Sequence, residues 1–74
     1  MKVGDIREEI GRGTLYLILE EIRWTSTILG NLVDFRTLVL HSPKSLETFG
    51  EYAGKVQNLT HEWLELNTME VDLE

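Results

Sequence analysis

The chain has no cysteine, a single proline, two histidines and no long apolar run, and each shortage excludes something. Without cysteine there is neither a disulfide framework nor a thiolate metal site. The longest unbroken apolar run is Leu15 to Leu19, far short of the roughly 20 residues that cross a bilayer as a helix. Nothing after Met1-Lys2-Val3-Gly4-Asp5 resembles the apolar stretch of a secretory signal, so a cytoplasmic, non-membrane protein is expected. The sequon Asn58-Leu59-Thr60 is read as fortuitous on the same ground.

Basic residues are also scarce. Seven Lys and Arg stand against thirteen Asp and Glu, a net charge of −6. The shortage is local: residues 1–43 carry six acids and five bases, whereas residues 44–74 carry seven acids and only Lys44 and Lys55. Such a surface repels phosphate backbones, which argues against direct nucleic-acid binding and for a basic protein partner. With 74 residues, 42% of them apolar, the chain is long enough for one domain with one modest core. Domains this small often gain the rest of their stability by self-association, so a homo-oligomer is expected.

Asp5 either caps one helical turn ending at Gly11, or Val3 to Ile6 starts a short strand. Gly11-Arg12-Gly13 is a break. Residues 14–29 fit a helical stripe (Leu15, Ile18, Leu19, Ile22) and also a strand. The segment Thr25-Ser26-Thr27-Ile28, rich in β-branched residues, and the pair Gly30-Asn31 between two apolar runs favour a β-hairpin over about residues 14–41. A two-residue turn at Gly30-Asn31 would place Ile28 opposite Val33, Ser26 opposite Phe35, Trp24 opposite Thr37 and Ile22 opposite Val39. That register gathers one mostly apolar face.

After His41-Ser42-Pro43, Ser45 is a good N-cap, and Leu46, Phe49, Ala53, Val56 and Trp63 recur at helical spacing. Gly50 and Gly54 weaken this helix, and a break near Asn58 with a restart at Thr60 is the alternative. Residues 67–74 are expected to form a short strand or an acidic tail. The expected fold is therefore α+β, with an antiparallel hairpin or small sheet packed against a C-terminal helix. A small SH3-like β-barrel and an all-α helical hairpin are the alternatives.

Met1-Lys2-Val3-Gly4-Asp5-Ile6 resembles the opening of small SH3-like β-barrel proteins of tailed phages. The segments Gly13-Thr14-Leu15-Tyr16-Leu17-Ile18-Leu19-Glu20 and Arg36-Thr37-Leu38-Val39-Leu40, and the closing Met69-Glu70-Val71, are similar to strands of those proteins. The resemblance spans about half the chain and departs from it at residues 45–66, which read as helix. It implies a phage or mobile-element origin and a binding role, and it carries no catalytic residues.

Candidate chemistry is sparse. His61 and Glu65 share a helix face four residues apart, but a zinc site needs further ligands, so no metal and no cofactor are expected. The pairs Glu8-Glu9 and Glu20-Glu21 do not converge, because neighbouring side chains diverge in strand and helix alike. No nucleophile elbow and no phosphate loop is present. A non-catalytic protein-binding module follows, with an acidic surface of Glu62, Glu65, Glu70 and Asp72 and Trp63 as its aromatic anchor. On the phage resemblance it is an inhibitor or adaptor in the host cytoplasm. The alternative is an oligomeric binder of a nucleotide-like ligand held by Arg12, Arg23 or Arg36.

Overall fold

The computed structural model describes residues 1–44 and 50–72. It contains five strands and one helix: β1 (Ile6–Glu9), β2 (Leu15–Ser26), β3 (Gly30–His41), β4 (Val56–Thr60), α1 (His61–Asn67) and β5 (Thr68–Glu70). The strands form one antiparallel sheet in the order β4-β3-β2-β1-β5. This corrects the expected α+β arrangement: the architecture is mostly sheet, and its only described helix has seven residues.

Local chemistry explains the missing long helix. Gly50 and Gly54 sit at φ of +82° and +95°, a left-handed backbone that ends a helix. Residues 50–55 turn back instead: Lys55 N–H donates to Tyr52 O (3.1 Å) and Gly54 N–H to Val39 O (2.8 Å). Val56–Thr60 then alternates outward and inward, with Gln57 and Leu59 turned in, and pairs with Leu38 to Asp34 of β3. The expected helix start at Ser45, with Leu46 and Phe49, lies outside the described residues.

The helix that does form begins at Thr60. Its hydroxyl accepts from the Trp63 N–H at 3.0 Å, and Glu62 lies in the first turn, where a negative charge favours the helix dipole. The helix ends at Thr68, whose N–H donates to Leu64 O. Arg7 of β1 clamps that end, with Nε donating to Thr68 Oγ1 (3.0 Å) and Nη2 to Thr68 O (3.1 Å). Replacing Thr60 with alanine is expected to cost about 1 kcal/mol, read as a lower urea midpoint.

A hairpin of β2 and β3 is the centre of the sheet, but its turn and register differ from expectation. The loop is Thr27 to Leu29, with Gly30 at φ +80° closing it as the first residue of β3. Trp24 lies opposite Leu32, and Ile22 opposite Asp34. A register shift at Leu19 then moves the pairing by one residue, so that Ile18 faces Thr37 and Tyr16 faces Val39. Extending the register of the arm past Leu19 without a bulge would turn Tyr16 and Ile18 to the face opposite Phe35, Thr37 and Val39 of β3.

That face is the core. Tyr16, Ile18, Phe35, Val39 and Leu64 are buried, together with Thr14, Thr37 and Thr68. Ile18, Phe35 and Leu64 form its centre, and Met1, Val33, Leu59 and Trp63 close over it. The Thr37 hydroxyl is satisfied by Gln57 O at 3.0 Å, so the polar group costs little where it is buried. No helix among the described residues is long and apolar enough to cross a membrane.

Candidate functional site

Three features of this scaffold stand out: a buried polar cluster, an acidic end and a projecting arm. The cluster joins residues far apart in the chain. The Tyr16 hydroxyl lies 3.1 Å from Glu9 Oε1 and also within hydrogen-bond reach of Glu51 Oε1, while Arg12 Nε stands 3.4 Å from Glu9 Oε2. The ring of Tyr16 meets Trp63 edge to face, with centroids 6.0 Å apart. Burial is the main force raising the Tyr16 pKa above its ordinary value, and the hydrogen bond to Glu51 and the charge of Glu9 push the same way. A phenol held protonated in this way is neither a base nor a nucleophile at neutral pH. The cluster therefore acts as a clamp that ties the segment around Glu51 to β1 and β2.

The acidic end is formed by α1 and β5. Glu62, Glu65, Glu70 and Asp72 are all exposed. Glu65 Oε1 lies 3.2 Å from His61 Nε2, an ion pair only when the imidazole is protonated. No Lys or Arg occurs from Val56 to Asp72. Leu66 and Met69, 71% and 53% exposed, interrupt the carboxylates. Trp63, the expected aromatic anchor, is half-buried against the core cluster. Among the described residues, no group of three or more His, Asp or Glu is placed to hold a metal ion.

No family model, curated protein or solved structure matches this chain. Its function therefore has to be argued from its own surfaces.

The three arginines named for the nucleotide-like alternative are not brought together. Arg12 lies in the β1–β2 turn beside Glu9. Arg23 pairs with Glu21 (3.0 Å) and Arg36 with Glu20 (3.3 Å), on opposite faces of the β2–β3 ribbon. Glu20 and Glu21 likewise point apart.

The projecting arm was not singled out by sequence reasoning. β4 stops pairing with β3 at Asp34, and β1 pairs with β2 only over Leu15 to Leu17. Beyond those limits β2 and β3 continue as a bare two-stranded ribbon. Its turn is tied internally: Ser26 Oγ accepts from the N–H groups of Ile28 (3.2 Å) and Leu29 (3.1 Å), and Thr25 Oγ1 donates to Asn31 Oδ1 (3.1 Å). Trp24, not Trp63, is the more exposed tryptophan, with its indole N–H donating to Asp34 Oδ2 at 3.0 Å. The signal that marks this segment is an absence of charge. Residues 24–33 are the longest run without Asp, Glu, Lys or Arg in the chain.

Proposed function

We propose that this protein is a non-catalytic binding module whose acidic end docks on a basic protein. The observation that carries this reading is the exposed pair Leu66 and Met69 set among Glu62, Glu65 and Glu70 with no Lys or Arg nearby in the chain. An apolar centre with a charged rim is the usual anatomy of a protein interface. Arg7 of β1, opposite Glu70, is a base beside this rim, but its guanidinium is engaged by Thr68, and the acids outnumber it; a mainly acidic rim selects a basic partner. The polar groups that catalysis would need are instead spent on one another or spread over separate faces.

We extend this reading to the likeness with small SH3-like proteins of tailed phages, whose departure at residues 45–66 is narrowed by the strand at residues 56–60. On that reading the chain is a phage-encoded inhibitor or adaptor that works in the host cytoplasm.

The test compares two triple variants that each remove three negative charges. Glu62→Gln/Glu65→Gln/Glu70→Gln is expected to weaken capture of a purified basic protein by at least about tenfold. Glu8→Gln/Glu20→Gln/Glu21→Gln is expected to leave most of it, and added salt to weaken the wild type. Equal losses in both variants would reduce the effect to bulk charge and sink the reading.

A further inference from the structure

We propose that the β2–β3 arm is a self-association surface, on which two copies pair antiparallel so that the tip of each arm fills a hollow at the base of the other. The inference rests on the apolar tip of the arm rather than on the acidic end, which it touches only where Glu62 lines the hollow.

The arm carries both halves of a self-complementary contact. Its tip is an apolar knob: Ile28 and Leu29 are 90% and 71% exposed. The Ser26 hydroxyl fixes the backbone behind them, so little order has to be imposed on binding. Along the arm, from Leu29 near the tip past Trp24 and Leu32 to Thr60, His61 and Glu62 at its base, runs a hollow of about 440 Å³. Asp34 also lines it, and its Oδ1 is buried without a hydrogen-bond partner. The exposed Thr27 hydroxyl at the tip is a donor that a second copy brings to it.

Dimensions fit this arrangement. From Asp34 to the turn the arm runs about 15 Å at ~3.3 Å per residue. Two arms laid antiparallel therefore put each tip over the other's base. A two-fold axis makes both contacts at once, which is how closed dimers use one patch twice. The outer edge of β2 beyond Ile18 pairs with no other strand among the described residues, and open edges of this kind invite a second strand.

Charge selects the occupant. Two copies, each with net charge −6, repel wherever acids meet. Residues 24–33 are where a copy can meet its like without opposing charges. Area points the same way. The chain exposes 5199 Å², whereas a folded monomer of its mass exposes about 4700 Å². The surplus of roughly 500 Å² approaches the ~800 Å² that each partner gives to a standard interface. The radius of gyration is 12.8 Å, against about 11 Å for a compact domain of this length.

Light scattering on the eluting wild-type chain is expected to give twice the 8.6 kDa chain mass. Ile28→Ser/Leu29→Ser is expected to weaken the dimer by at least about tenfold. Both side chains are exposed, so its circular dichroism and thermal midpoint at dilution stay those of the wild type. Geometry is tested by cross-linking, which the absence of cysteine makes simple. Chains carrying Ile28→Cys are mixed with chains carrying His61→Cys, and the mixed disulfide is expected to form in preference to either homodimer. A wild type that stays monomeric, a double variant that stays dimeric, or tip-to-tip Ile28→Cys pairs as the main product would each overturn the proposal. So would a monomer whose tip residues drive binding to neutral lipid vesicles, since that assigns the arm to a membrane surface.

Discussion

Phe35→Ala is expected to remove about 3–5 kcal/mol of folding stability, the usual cost of emptying a buried aromatic site. Phe35 is 2% exposed and lies in the buried centre with Ile18 and Leu64. It also stands opposite Leu59 of β4, and its ring lies 5.9 Å from that of His61. One side chain thus joins β2, β3, β4 and α1. The cavity left behind cannot collapse easily, because strands on both sides of β3 hold its walls apart. A domain of 74 residues has about 4–11 kcal/mol in total at ordinary stability per residue. The variant should therefore be partly or wholly unfolded at room temperature. Urea titration followed by circular dichroism measures this, with Leu66→Ala as control. Leu66 is 71% exposed, and its loss should stay within about 0.5 kcal/mol. Equal midpoints for the two variants would mean that the core is not where the sheet places it.

Phe35, Thr37 and Val39 were legible as core from their alternation in β3, and the span of the hairpin from the turn residues around Gly30. Their partners were not. Ile22 and Trp24 looked right because a regular register pairs them with Val39 and Thr37. The turn falls at Thr27 to Leu29 instead of Gly30-Asn31, which slides the pairing by five residues, and the bulge at Leu19 adds one more, so those places go to Tyr16 and Ile18; nothing in the local composition marks a bulge. The long helix failed for a different reason. Leu46, Phe49, Ala53, Val56 and Trp63 have helical spacing, but Gly50 and Gly54 adopt positive φ and turn the chain into β4. Apolar spacing alone is weaker than two glycines that take a left-handed backbone. The Thr60 restart was visible as a cap signal, since a capping hydroxyl is a local device.

The functional surfaces divide along the same line. Composition alone exposed the acidic end, because charge counts do not depend on tertiary contacts. The choice of Trp63 over Trp24 as the surface aromatic did depend on them. Trp63 sits one turn into a helix that packs on the core, whereas Trp24 lies beyond the last strand that could cover it. The clamp of Glu9, Tyr16 and Glu51 joins positions 35 residues apart, which no spacing rule reaches.

That clamp yields the second large expectation, a loss of stability in alkali that depends on one hydroxyl. In the unfolded chain Tyr16 gives up its proton near the ordinary tyrosine value of 10.0; in the folded chain burial and the two carboxylates hold it on well above that. Above pH 10 the folded state thus binds more protons than the unfolded one, and stability falls with rising pH. The contribution is intact below that pH and is lost above it, at up to about 1.4 kcal/mol per pH unit. Tyr16→Phe removes the titrating group. It should cost about 1–3 kcal/mol at neutral pH, since Glu9, only 7% exposed, loses the donor that faces it. In exchange, its stability should decline less steeply than that of the wild type above about pH 10. Tyr52→Phe, at a tyrosine 50% exposed, should keep the wild-type slope. Urea midpoints for the three proteins across this alkaline range decide the matter. Should Tyr16→Phe decline as steeply as the wild type, the phenol does not hold its proton through the clamp, and the alkaline loss of stability has to be sought in other groups.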